Sequence, residues 1–105
     1  MIRDLKFDDY WENDGNDIFY FTADTDMLSH FLPDKQFPDA ISMCICVECP
    51  KEKHLPEYAY TAVSPTRRDD EDTITDYDWY PVRMSDNEIL ECLATVPWRN
   101  RYGNL

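Results

Sequence analysis

The sequence predicts an α+β fold, an antiparallel β-meander of about four or five strands with a C-terminal helix and a short helix near residues 25–32. Three observations carry that prediction. Residues 40–48 alternate Ile41, Met43, Ile45 and Val47 with Ser42, Cys44, Cys46 and Glu48, a strand pattern apolar enough on both faces to sit centrally in a sheet. Glu12-Asn13-Asp14-Gly15-Asn16-Asp17 is hairpin-turn chemistry ahead of the strand-forming run Ile18-Phe19-Tyr20-Phe21-Thr22. Ser85-Asp86-Asn87-Glu88 is a capping box, with Ser85 as N-cap and Glu88 at the third helical position. A chain of 105 residues, 43% hydrophobic and 14% aromatic, bounds the answer to a single domain over residues 1–105 with its own core.

In chain order, residues 4–23 read as a hairpin bent at Gly15, one of only two glycines. Over residues 25–32, Met27, Leu28, Phe31 and Leu32 share a helical face, with Asp24 or Thr25 as cap and Pro33 as the stop. Strands follow over residues 40–48, 57–64 and 73–84, and the third places Tyr77 and Trp79 opposite Asp76, Asp78 and Tyr80. A charged loop links residues 65–72. The closing helix presents Ile89, Leu93 and Val96 on one face, joined by Leu90, and stops at Pro97.

The net charge of −12 is laid down in two runs. Asp8, Asp9, Glu12, Asp14, Asp17, Asp24, Asp26 and Asp34 fall in a stretch without Lys or Arg. Asp69, Asp70, Glu71, Asp72, Asp76 and Asp78 form the second, with no base until Arg83. Asp outnumbers Glu by 15 to 7, which places the acidity on turns and strand faces and not on one long helix. Trp11, Trp79 and Tyr80 lie among these acids, as do Tyr10 and Tyr77. The magnitude exceeds the roughly 2–8 that keeps a small domain soluble. Such surfaces repel nucleic acid and attract cationic proteins. The one basic segment is the aromatic tail 97–105, with Arg99 and Arg101; folding back on the acidic body is its simplest fate, and a second contact with a partner is the alternative.

Catalytic and metal motifs are weak by comparison. Cys44, Cys46, Cys49 and His54 give a Cys-x-Cys-x2-Cys-x4-His run that suggests a small zinc module, but Ala59 stands where a fourth zinc-knuckle ligand belongs. Buried cysteines of a central strand are the plainer reading. His30 and His54 are the only histidines and read as surface or half-buried side chains. Two glycines cannot build a phosphate loop. With Gly15 as the sixth residue of a calcium loop, Tyr10 would be first and Phe21 twelfth, which fails. No catalytic residue, metal ligand or cofactor is assigned. Met1-Ile2-Arg3-Asp4 runs into charged residues with no apolar stretch behind it, so a cytoplasmic protein with reduced thiols is expected.

In size, charge and aromatic interleaving, residues 8–26 and 69–78 resemble the nucleic-acid-mimicking antagonists carried by phages and mobile elements, among them anti-CRISPR and anti-restriction proteins. The resemblance implies a non-enzymatic inhibitor in the host cytoplasm. It would occupy the Lys/Arg-lined groove of a nuclease or effector complex, bind no nucleic acid itself and touch no membrane. Alternate strand residues on one face are about 6.6–6.8 Å apart, and each strand of a duplex carries a phosphate per about 3.4 Å of axis; carboxylates at that spacing can meet a groove built for phosphates. An immunity or antitoxin-like protein that plugs a basic toxin is the alternative, resting on the same physics. If the two acidic runs share a face they form one patch; if they are separated, mimicry weakens in favour of simple solubility.

Overall fold

The computed structural model describes residues 1–68, 71, 74–76 and 78–98, with residues 74–76 as backbone only. Strands β1 (Lys6–Asn13), β2 (Asn16–Ala23), β3 (Ser42–Pro50), β4 (Tyr60–Arg68) and β5 (Ile74–Asp76) lie side by side in chain order, every pair antiparallel. A two-residue β6 (Tyr80–Pro81) also pairs with β4. Helix α1 (Met27–Phe31), a 3-10 turn (Pro56–Tyr58) and helix α2 (Asp86–Ala94) complete the α+β meander.

The hairpin forms because Asp14 and Gly15 both adopt positive φ, 49° and 82°. That backbone twists with the flanking strands, so a two-residue link suffices. Asp17, Phe19, Phe21 and Ala23 of β2 then face Cys49, Val47, Ile45 and Met43 of β3 across the ladder, and all eight are buried. Alternation sends Ile18, Tyr20 and Thr22 to the other side with Glu48, Cys46 and Cys44. The sheet therefore has a core face and a second, half-exposed face.

Helix α2 covers the core face. Ser85 accepts the Glu88 N–H at 3.2 Å and Glu88 accepts the Ser85 N–H at 2.9 Å, so the predicted capping box is formed. Ile89, Leu93 and Val96 are buried as expected; Leu90 instead points outward, and Cys92 takes the place beside Leu93. Beyond the helix, Trp98 sets its ring edge-to-face on Phe7 and Tyr10, 5.2 and 5.3 Å between centroids. This contact clamps β1 onto the rest of the sheet. Each fully buried Phe, Ile, Leu or Met of this core contributes about 1.5–3 kcal/mol of burial.

Three expected elements differ in detail. The strand expected over residues 73–84 is interrupted: four steps from Asp76 to Tyr80 oppose three steps from Thr66 to Val63. Pro65 lies in β4 at that break and has no N–H to give a neighbour. The strand expected over 57–64 starts at Tyr60, because Pro56 opens a 3-10 turn before it. Helix α1 is capped neither by the Asp24 nor by the Thr25 side chain. Asp26 is the N-cap, and the Asp24 carboxylate accepts the Asp26 N–H at 2.9 Å, an Asx turn that leads the chain into the helix.

Candidate functional site

Among the described residues no strand pairs with the outer side of β1, and the exposure of this edge follows from its sequence. A bulge between Phe7 and Asp9 inserts Asp8 as an extra residue. Asp8, Asp9, Glu12 and, at the hairpin turn, Asp14 are all exposed. A bulge and a row of carboxylates also discourage another strand from pairing along this edge. Glu12 forms an ion pair with Lys51, which approaches from the turn after β3. Asp26 meets Arg3 at 3.0 Å, but both side chains are 66% exposed, so the pair contributes little.

Asp17 does not belong to this surface. Its place in β2 matches Phe19 and Phe21, so it points into the core face and is only 2% exposed. The Tyr10 hydroxyl donates to Asp17 Oδ1 at 2.5 Å, and His54 Nε2 lies 2.6 Å from Asp17 Oδ2. His54 is itself fully buried, with its ring edge-to-face on Phe19 at 5.2 Å, which corrects the expectation of a surface or half-buried histidine. This Tyr10–Asp17–His54 network pins the hairpin to the segment after β3. It is closed to solvent, so it orders the fold and offers no approach to a substrate.

The two acidic runs lie at opposite sides of the sheet. β1 forms one edge, while the second run joins β4 to β5 at the other. Four inter-strand steps of about 4.8 Å separate β1 from β5, roughly 19 Å. Among the described residues, the β1 acids and Glu71 therefore stand at opposite edges and do not form one patch. Glu71 and Asp78 are exposed; Asp69, Asp70, Asp72 and the side chain of Asp76 lie outside the described residues, as do Tyr77, Arg99 and Arg101. Asp24 is half-buried at the end of β2.

Of the three aromatics expected at the surface, two are there. Trp11 is 60% exposed and Trp79 is 39% exposed. Tyr80 pairs with Val63 and so projects to the core side, where its ring packs near Phe37 and under Lys35, 5.1 Å from Nζ to the centroid. Trp79, one residue earlier, reaches the half-exposed face and packs against Tyr20 at 6.0 Å.

The cysteines do not converge with His54. Cys49 faces Asp17 on the core side, with His54, while Cys44 and Cys46 face the other side of β3. The sheet thus separates the proposed zinc ligands, and no group of three potential ligands exists among the described residues. All four cysteines are thiols. Burial, with Glu48 nearby, pushes Cys46 up to about 11; burial, with Glu91 and Glu88 nearby, pushes Cys92 up to about 12. Both stay protonated at neutral pH and are poor nucleophiles.

A cleft of about 1100 Å³ opens between α1, the 3-10 turn and the start of α2. At its rim His30 Nε2 meets Glu88 Oε2 at 2.6 Å. Burial works to raise the Glu88 carboxyl, but the bonds from Ser85 and His30 outweigh it and hold Glu88 below the usual carboxylate range. Its charge is committed to the helix cap and to tying α1 to α2. No helix among the described residues is long and apolar enough to cross a membrane. Family models, curated proteins and solved structures contain no match to this chain.

Proposed function

We propose that this chain is a non-enzymatic inhibitor that enters the cationic groove of a nucleic-acid-binding protein, a nuclease or effector complex, with its β1 edge leading. The observation that carries the reading is the exposed row Asp8, Asp9, Glu12 and Asp14 on a free edge strand beside the exposed Trp11. Carboxylates meet Lys and Arg through charge-assisted hydrogen bonds, and an exposed Trp is the side chain most often found anchoring an interface. Separation of the acidic runs narrows the proposal: one edge makes the primary contact, and the second run serves steering and solubility. Burial of Asp17 and His54, the raised thiols and the structural use of Glu88 are the features that favour binding over turnover. A toxin-neutralising role would use the same edge.

Affinity capture from host lysate at low and high salt tests the proposal. The expected result is recovery of a nucleic-acid-binding protein at low salt by the native chain and not by an Asp8→Asn, Asp9→Asn, Glu12→Gln, Asp14→Asn variant. Equal recovery by the neutralised variant would overturn the edge as the docking element.

A further inference from the structure

Among the described residues, no helix lies on the face of β1, β2 and β3 opposite the core, and that face is unusual for so acidic a chain. On it Trp11 lies across from Ile18, and Tyr20 across from Cys46. Trp11 is diagonal to Tyr20, about 7–8 Å away across the strand pair. Trp79 arrives from beside β6 and packs on Tyr20 from the other side. The result is a strip, Trp11–Tyr20–Trp79, with both indoles substantially exposed. Carboxylates border it: Asp9 stands opposite Tyr20 and Glu48 opposite Ile18. Among the described strand residues, the bases on this face, Lys6 and Arg68, sit at its far end, opposite Thr22 and Ile74.

Exposed indoles beside carboxylates are complementary to one side chain above others. A guanidinium is planar and weakly hydrated, stacks on an aromatic face and accepts a carboxylate in its donor fork. A Lys ammonium is more strongly hydrated and cannot stack. Nucleobases also stack on Trp, but the phosphates they bring are repelled by Asp9 and Glu48. A partner strand is turned away at β1 by the bulge and the edge acids, so the contact is made through side chains on the open face.

We infer that the open face of β1–β2–β3 is an arginine-docking surface, in which Trp11 and Trp79 stack guanidinium groups of a partner protein and Asp9 and Glu48 hold their charge. This rests on the reading of a cationic partner and specifies its chemistry: Arg, not Lys, supplies the contacts at the strip. The acidic edge brings the partner in, and the aromatic face selects it.

The test uses nona-arginine and nona-lysine peptides as probes, followed by tryptophan fluorescence and calorimetry at fixed ionic strength. Native protein should bind nona-arginine about tenfold more tightly than nona-lysine, the scale of one or two stacked cation–π contacts. Trp11→Leu and Trp79→Leu keep an apolar side chain at each position and should reduce that preference to near unity, weakening nona-arginine more than nona-lysine. Equal affinity for the two peptides in the native protein, or an undiminished preference in both Leu variants, overturns the inference. Neutralising Asp9 and Glu48 should weaken both peptides. If neither peptide binds, or if neutralisation of these acids and of the β1 edge changes nothing, the cationic-partner reading itself falls, and the inference with it.

Discussion

Replacing Asp17 is the sharpest test of how the hairpin is held. The carboxylate is buried, accepts the Tyr10 hydroxyl at 2.5 Å and meets His54 Nε2 at 2.6 Å, with a His54 side chain that is 0% exposed. In Asp17→Ala both neighbours lose that acceptor without gaining water. A buried polar group stripped of its partner costs about 1–3 kcal/mol, so two cost about 2–6 kcal/mol. A chain of this size has about 5–15 kcal/mol in all, so the variant should be close to unfolding. Asp17→Asn keeps the volume and one acceptor and should lose less, about 1–3 kcal/mol. Urea titration followed by tryptophan fluorescence measures the effect: at about 2 kcal/mol per molar, a loss of about 4 kcal/mol lowers the midpoint by about 2 M. Tyr10→Phe in the Asp17→Ala background should add much less than it does alone, because the two share one bond. Asp14→Asn, at an exposed turn position that tolerates Asn, is the control and should stay within about 0.5 kcal/mol. An Asp17→Ala midpoint equal to that of the control would refute the buried network and return Asp17 to the surface.

Other consequences follow from the same geometry. Glu88 is held below its unfolded value of about 4.3, so its contribution to stability is complete above that pH and fades as pH falls through the lower folded value; Glu88→Gln should flatten the acid limb of a stability profile taken from pH about 6 downward. Ser85→Ala should cost about 1 kcal/mol by urea titration, the loss of an N-cap. Gly15→Ala should cost about 1–2 kcal/mol from its positive φ alone, since nothing lies within 4 Å of an added Cβ; a much larger loss would mean a clash that the hairpin does not have. With Cys92 buried and raised to about 12, iodoacetamide at pH about 8 should leave it unmodified until guanidinium is added, as read by mass spectrometry.

Much of the fold was legible because its signals were local. The Asp14-Gly15 turn, the alternation through Met43, Ile45 and Val47, and the Ser85–Glu88 box each depend on neighbours in sequence, and each appears where expected. The break between β5 and β6 was harder, since it depends on Pro65 in the partner strand. The buried role of Asp17 was readable and overlooked: extending the parity of Phe19 and Phe21 by one step turns Asp17 inward. Composition outweighed periodicity there, because Asp17 lies amid acids that do face solvent. Its partner His54, 37 residues away, carries no local mark of the contact. Nor could the charge runs reveal their separation, because that is set by strand order and not by spacing along the chain. The parity of β3 by itself disperses the cysteines, since Cys46 and Cys49 differ by an odd number of residues and must face opposite sides.

The most direct measurement of the central claim is competition for the captured partner. Fluorescently labelled duplex DNA is bound to that partner, and anisotropy is followed as this protein is added at low and at high salt. The acidic-edge account predicts displacement of the DNA at low salt, weakened by added salt and lost when Asp8, Asp9, Glu12 and Asp14 are neutralised. A ternary complex in which the DNA stays bound at saturating protein would contradict it.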